Sequence, residues 1–384
     1  MTTQLSAPRV LFYVQHLLGI GHLARASRIA DAMADDGFQV TVVTGGAPVV
    51  GFPGAKVSQI ALPPIVSGDA GFSGLCDAYG NAVDEAFKDK RRDLLLAAYR
   101  ECRPDIVMIE AFPFGRRQVR FELIPLLEAI DADSDRPRVV CSVRDILQER
   151  AKPGRDQESV ALVKQYFDLV LVHGDPEFIR LEETFPLAEE IQDRIAYTGL
   201  VATPPLSPGS ERFEVVVSAG GGAVGINLIQ AALEAARRLP KSGNWCVVTG
   251  PNLPAEEFDR IVASAPTNVR VDRFRKDFPN LIAGAKLSIS QAGYNTVCDI
   301  LNARCRSLLV PFAAGGETEQ SVRAERLQKL QLAHVLKESD LSADTMTESV
   351  ENALSSPSPP AFSFGLDGAG QAAQVLRQLV GHPV

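Results

Sequence analysis

Short, almost wholly apolar runs alternate along this chain with longer amphipathic stretches. In the amino half the runs are RVLFYV, QVTVVT, DIVMIE, RVVCSVRD and DLVLVHGD. In the carboxyl half they are FEVVVS, WCVVTG, NVRVDRF, KLSIS and SLLVPF. Runs that are apolar at successive positions suit parallel strands covered on both faces, and the stretches between them predict helices. One helix is expected over 22–34, and YGNAVDEAFKDKRRDLLLAAYREC, RQVRFELIPLLEAI and SVALVKQYF supply others. After KLSIS, Gly293 turns the chain into a helix starting near Asn295 or Thr296, in which Val297, Ile300 and Leu301 recur at helical spacing. The alternation implies α/β architecture, with polar loops gathered at the carboxyl ends of the strands, where open sheets bind ligands.

The stretch 199–212, GLVATPPLSPGSER, has three prolines, two glycines and no apolar periodicity, as a linker would. It separates an amino-terminal domain, 1–198, from a carboxyl-terminal domain, 213–384. A length of 384 residues fits two domains of roughly 150 or more.

With 46% hydrophobic and 22% charged residues, both domains can form cores. A net charge of −8 speaks against a general nucleic-acid binder, which needs clustered Lys and Arg. No apolar run reaches spanning length and no basic leader precedes RVLFYV, so a cytoplasmic protein is expected. The six cysteines lack paired spacing and read as free thiols in a reducing compartment. Asp131-Ala132-Asp133 formally offers a metal pair but lies in an acidic helix-end turn, and no metal or cofactor is expected.

After RVLFYV comes Gln15-His16-Leu17-Leu18-Gly19-Ile20-Gly21-His22-Leu23-Ala24-Arg25. Its glycines allow a sharp turn and leave helix-start N–H groups at the sheet edge, an anion-ready arrangement. The full dinucleotide fingerprint is absent. His22, with an ordinary pKa near about 6.5, can take a proton from a hydroxyl nucleophile; alternatively it caps the helix or binds an anion. His16 and Gly21 share the loop. Glu110, Arg144, Asp145, His173 and Asp175 follow later strands and should line the same edge, as direct contacts or as cleft-wall polar residues and caps. FPFGRRQVRF is either an interfacial aromatic-basic patch or a helix start with solvated arginines.

In the second half Gly220, Gly221 and Gly222 remove the side chains that would block a phosphate ahead of a helix; the plain alternative is a tight βα corner. Ser290, Gly293, Asn295, Thr296 and Asp299 form the next turn, and Glu319 and Gln320 follow Gly315-Gly316. Taken singly, Thr296 and Asp299 fit a capping box, and Glu319 a favourable helix start.

Their order carries a resemblance. Ser290-x-x-Gly293-x-x-Thr296-x-x-Asp299, then Leu309-Val310-Pro311-Phe312, then Glu319-Gln320, resembles the carboxyl-terminal domain of MurG-like glycosyltransferases of the GT-B fold. That resemblance implies two Rossmann-like, doubly wound domains facing across a cleft, with a nucleotide sugar bound mainly by the second. The acid of the helix, here Asp299 where the family usually has Glu, would hold the ribose. Glu319 and Gln320 would hold the donor sugar, the glycine loop would face the diphosphate, and Phe274 or its backbone would meet the base. UDP is the default nucleotide, with dTDP or GDP as options. The terminal helix, GLDGAGQAAQVLRQLV, would pack back toward the first domain. Gly19-x-Gly21-His22 is similar to the family's acceptor-side loop, which makes His22 the base of a direct, inverting, metal-independent hexosyl transfer. The acceptor, whether glycan, lipid-linked or small, stays open, and with it a peripheral membrane contact. Gly-x-Gly-His-x-x-Arg is also similar to PseG-type nucleotide-sugar hydrolases, in which water replaces the acceptor. A non-catalytic GT-B subunit is a further alternative.

Overall fold

The computed structural model describes residues 7–17, 21–67, 74–148, 153–204, 207–221 and 224–381. The chain forms two compact units, Met1–Val201 with Asp367–Val384, and Ala202–Leu366. In the first unit β1 (Arg9–Val14), β2 (Gln39–Thr44) and β3 (Ser58–Ala61) are followed by a small antiparallel hairpin, β4 (Ile65–Ser67) and β5 (Leu75–Asp77). Then come β6 (Ile106–Glu110), β7 (Arg138–Arg144), β8 (Leu169–His173) and β9 (Ile195–Tyr197). Seven of these make a parallel sheet in the order β3-β2-β1-β6-β7-β8-β9. The chain therefore winds outward from β1 in one direction and restarts at β6 in the other, placing the switch point between β1 and β6.

Helices α1 (Gly21–Asp35), α2 (Glu85–Cys102), α3 (Arg120–Asp131) and α4 (Arg155–Tyr166) cover this sheet. The apolar stripe of α1, Leu23, Ala26, Ile29, Ala30 and Met33, is buried, as its spacing demands. The α2 segment starts later than the pattern suggests. Asp84 caps it by accepting from the Phe87 amide at 2.8 Å, while the Asp77 carboxylate closes a turn on the Tyr79 and Asn81 amides. The edge strand β3 is mostly exposed, which is why no apolar run announces it.

The second unit holds β10 (Val215–Ser218), β11 (Trp245–Val248), β12 (Val269–Asp272), β13 (Leu287–Ser290), β14 (Arg306–Leu309) and β15 (His334–Val335). They form a parallel sheet in the order β12-β11-β10-β13-β14-β15, with its switch point between β10 and β13. Helices α5 (Ile226–Arg238), α6 (Ala255–Ser264), α7 (Phe278–Gly284), α8 (Tyr294–Ala303), α9 (Glu319–Lys329) and α10 (Ala343–Ser355) connect and cover these strands.

The unit boundary differs from the expected one. Residues 199–201 stay with the first unit, and the chain returns to that unit at Asp367, so that α11 (Gly368–Gly381) belongs there and not to the second domain. The return is fixed by the Gly368 amide donating to the Leu200 carbonyl at 3.0 Å and by a bridge between Val201 and Asp367. A Cβ at Gly368 would lie 2.3 Å from the Gly199 carbonyl oxygen, so this close approach requires glycine. Helix α11 then packs on α1, where the Arg377 guanidinium lies over the Phe38 ring and its Nε donates to Asp36 at 2.6 Å.

Candidate active site

The first switch point brings together the loop after β1, the start of α1 and the end of β6. His22, one residue into α1, places Nδ1 4.0 Å from Oε1 of Glu110, the last residue of β6; 22% of the His22 side chain stays exposed while Glu110 is buried. Arg25, a turn further along α1 and also buried, donates to the same Glu110 oxygen. Burial, followed by the positive charges of Arg116, Arg144, Arg25 and His16, holds the His22 imidazole well below its ordinary pKa. Neutral at physiological pH, it has a lone pair to offer as a base.

Behind Glu110 runs a chain of buried hydrogen bonds. The Ser142 hydroxyl donates to Glu110 Oε2 at 2.9 Å. His173 Nε2 lies 2.9 Å from the same hydroxyl, and its Nδ1 lies 2.9 Å from Thr198 Oγ1. Burial pushes the pKa of His173 well down, with Arg25 adding to the effect, so its ring is neutral and carries one proton. Since the Ser142 proton goes to Glu110, Nε2–H donates to Ser142 and Nδ1 faces the Thr198 hydroxyl, whose proton also lies within reach of the Gly199 carbonyl at 3.2 Å. Ser142 and Arg25 both donate to Glu110, which faces His22.

A second buried network holds Gln15 and His16 after β1; Gly19, with the rest of 18–20, lies outside the described residues. The Tyr13 hydroxyl donates to Glu122, and Arg91 Nε and Nη2 donate to the two Glu122 oxygens at 2.9 and 2.7 Å. Arg91 also reaches Gln15 Oε1 at 3.1 Å and the Gly45 carbonyl at 3.0 Å, and Gln15 Nε2 donates to the His16 carbonyl at 2.7 Å. A Cβ at Gly46 would lie 2.4 Å from the His16 ring. His16 is thereby wedged beneath the loop after β2, buried, with its pKa lowered by burial and by Arg116.

Of the other expected residues, Gly21 starts α1 beside His22 and is exposed, and Arg144 ends β7 near enough to act on the charges of His22 and Arg116. The Asp145 carboxylate is buried and accepts from the Ile146 amide, while Asp175 accepts from the Glu177 amide. FPFGRRQVRF is not an interfacial patch. Phe112 and Phe114 are buried, the latter edge-on to Phe185 at 5.1 Å, because the segment folds into the core under β6. Its arginines are not simply solvated either, since Arg117 and Arg120 both pair with Glu158. Asp133 accepts from the Tyr99 hydroxyl at 2.7 Å and the Asp135 amide at 3.1 Å, and among the described residues no group of three or more His, Cys, Asp or Glu is placed to hold a metal.

Sequence reasoning missed Arg91, Glu122 and Ser142, and gave no role at this site to Arg25 and Arg116, although both lie in stretches it singled out. A signal existed for the first two. Arg91, Leu95, Ala98 and Tyr99 form one buried stripe of α2, and Glu122, Leu126 and Ile130 one of α3. A charge on an apolar stripe must find an opposite charge inside the core.

The second switch point is made of backbone. After β10 the chain passes Gly220, at φ +71, and Gly221; Gly222 lies outside the described residues. Helix α5 begins only at Ile226, capped by Gly225, where a Cβ would meet that of Ala219 at 2.2 Å. Asn252 Nδ2 donates to the Gly221 carbonyl at 2.5 Å, and a Cβ on Gly250 would lie 2.4 Å from the Gly220 carbonyl oxygen. Ser290 ends β13 with its hydroxyl buried and without a hydrogen-bond partner among the described residues. Gly293 then caps α8, with Tyr294, Asn295 and Thr296 in the first turn. Helix starts of this kind leave amides pointing outward.

Thr296 and Asp299 form no capping box. Asp299 is buried and accepts from the Thr203 hydroxyl at 3.1 Å, while Asn302 donates to the Thr203 carbonyl at 2.9 Å. Glu319 opens α9 and pairs with buried Arg323 at 2.7 Å, and Arg323 donates to the Ala292 carbonyl at 3.0 Å. Gln320 Oε1 accepts from the Ala292 and Phe312 amides at 3.0 and 3.2 Å, tying the loop after β13 to the loop after β14. Phe274 is 58% exposed and is not a core residue.

Residues 215–362 match the family described as Glycosyltransferase family 28 C-terminal domain. Over 357 residues the chain is 25% identical to the UDP-N-acetylglucosamine–N-acetylmuramyl-(pentapeptide) pyrophosphoryl-undecaprenol N-acetylglucosamine transferase of Phenylobacterium zucineum, covering 88% of this chain and 87% of that protein. Among solved structures, the calicheamicin glycosyltransferase CalG4 superposes with a TM-score of 0.60 at 17% identity, covering 97% of this chain and 94% of that one. MurG of Acinetobacter baumannii does so at 0.56 and 15% identity, covering 97% and 98%.

Proposed function

We propose that this chain, a MurG-like glycosyltransferase of the GT-B fold, moves a hexose-type sugar from a UDP-sugar to an acceptor hydroxyl, with inversion and without a metal ion. The observation that carries the reading is the His22–Glu110 pair at the first switch point. Glu110, which accepts from Ser142, faces Nδ1 and so favours the tautomer with its proton there, leaving Nε2 as the basic nitrogen. In the step itself Nε2 takes the proton of the acceptor hydroxyl and the oxygen bonds to the anomeric carbon. The bond from that carbon to the diphosphate oxygen breaks, and UDP leaves with the electron pair. Proton removal contributes roughly 10²- to 10⁴-fold.

In the donor half of this reading, amides of the Gly220–Gly221 loop and of the α8 start stabilise the diphosphate. Asp299 holds the ribose in place of its Thr203 contact, Ser290 lends its free hydroxyl, and exposed Phe274 lies against the base. Glu319 and Gln320 contribute through the sugar and, by anchoring two loops, through the shape of the site. The UDP-sugar in the name of the Phenylobacterium relative supports the choice of nucleotide. No described helix is long and apolar enough to cross a membrane, and the reading places the enzyme in the cytoplasm with access to acceptors there or at the membrane face.

A panel of nucleoside diphosphates and their sugars, titrated calorimetrically and then incubated with and without candidate acceptors, tests this. UDP should bind, Asp299→Ala should weaken it, and sugar should leave the nucleotide rapidly only when an acceptor is present. Rapid release into water alone would replace the transferase by a hydrolase. Failure of every nucleotide to bind would remove the donor site.

A further inference from the structure

Arg116 follows the tight turn after β6, in which the Gly115 amide donates to the Ala111 carbonyl at 2.7 Å, and its own backbone is left-handed at φ 57. That turn brings the guanidinium within range of the charges of Glu110, Arg25 and Arg144. Its Nε and Nη2 are buried, and neither has a hydrogen-bond partner among the described residues. The charges that act on it are Glu110, with the Tyr13 hydroxyl, on one side, and Arg25 and Arg144 on the other. Glu110 is already committed to Arg25 and Ser142. The positive charge of Arg116 acts in turn on the His16 and His22 imidazoles and helps to lower their pKa values. Buried guanidinium donors left unpaired are costly and are kept where an anion completes them.

We infer that Arg116 is the binding site for a phosphate- or carboxylate-type oxyanion carried by the acceptor, which seats the acceptor hydroxyl against His22. This rests on the acceptor reading of the first unit. Guanidinium forks pair with both kinds of oxyanion in two-point geometry, which would fix direction as well as affinity.

The full chain, held at saturating UDP so that the donor loops are filled, is titrated with inorganic pyrophosphate and, separately, with malonate. One further site is expected, at least tenfold weaker in Arg116→Gln and partly restored in Arg116→Lys, with UDP affinity the same in all three. Arg116→Gln should also melt no lower than the parent, because it removes an uncompensated buried charge; a merely structural arginine would lower the midpoint. Dependence seen with pyrophosphate assigns a phosphate-bearing acceptor, and dependence seen with malonate alone a carboxylate-bearing one. Equal binding by parent and Arg116→Gln, or no site beyond that for UDP, overturns the inference. Arg116-dependent pyrophosphate binding in a chain that ignores UDP would keep the anion site and sink the donor reading instead.

Discussion

The two sheets meet the same problem, a ligand-binding edge at a topological switch point, with opposite materials. At the first, between β1 and β6, the edge is built from buried charge: Glu110 with Arg25, Ser142 and His173 behind it, and Glu122 with Arg91 and Tyr13 below the loop. At the second, between β10 and β13, it is built from glycine and amides, and side chains such as Asn252 and Gln320 serve to hold backbone in place. Charge suits a place where a proton must move, because a buried carboxylate can set both the tautomer and the basicity of its neighbour. Bare backbone suits a place that must accept a diphosphate, since amides and helix starts attract anions without side chains in the way.

If that division of labour is right, the largest effect follows from His22→Ala. Transfer should fall by roughly 10²- to 10⁴-fold, the range that a positioned base supplies, with UDP affinity unchanged; single-turnover rates beside UDP titration check it. A parallel loss of UDP affinity would mean that the first edge is not specialised for proton transfer. Next comes Glu122→Gln, which leaves Arg91 buried beside a neutral amide. Breaking one side of a buried ion pair costs about 3–5 kcal/mol, read as a lowered urea midpoint. A shift within the scatter of surface substitutions would mean that this network is not holding the loop.

The same contrast explains what could be read from the sequence. The second edge lies in compact stretches, from Ser218 to Gly225 and from Ser290 to Gln320, where glycine spacing and strand-turn-helix order are visible side by side. The parallel sheets were legible for a related reason, since a strand covered on both faces must be apolar throughout. The first edge draws Gln15, Arg91, Glu110, Glu122, Ser142, His173 and Thr198 from separate elements, and nothing local links Ser142 to His173. The glycine turn after β1 announced His22, and the ends of later strands offered Glu110 and His173 for the same edge, while Arg91, Glu122, Ser142 and Thr198, inside other elements, gave no local sign of belonging to it. Fold also overrode local chemistry: Thr296 and Asp299 had the spacing of a capping box, yet Asp299 turns to Thr203 because the incoming chain lies against α8. The terminal helix does pack back on the first unit as expected, but it was counted with the second domain because adjacency in sequence says nothing about a chain that recrosses to its starting unit at Asp367.

On the second edge the contrast is sharpened by adding carbon and not by removing charge. Gly225→Val would drive a branched side chain into Ala219, where even a Cβ would sit at 2.2 Å. Overpacking of this kind costs typically about 1–3 kcal/mol, and the distorted α5 start should weaken UDP binding while leaving the pH dependence of His22 unchanged. Thermal unfolding together with UDP titration separates the two effects.

The smallest effect is one of pH, and it belongs to the first edge. His173 has its folded pKa lowered, by burial first and Arg25 second, so folding favours its neutral form. As pH falls through about 6.5 the unfolded chain takes up a proton that the folded chain refuses, and stability must drop, by at most about 1.4 kcal/mol per pH unit for one histidine. The loss continues until the pH passes the folded pKa. Above about 6.5 both states are neutral and the contribution is fully present. His173→Gln keeps a side chain able to donate to Ser142 but cannot titrate there, so its urea midpoint should decline less steeply between pH 6.5 and pH 5 than that of the parent. An unchanged acid slope would mean that this histidine is protonated in the folded protein. The run of donors into Glu110 would then have a different direction from the one that leaves His22 its basic nitrogen.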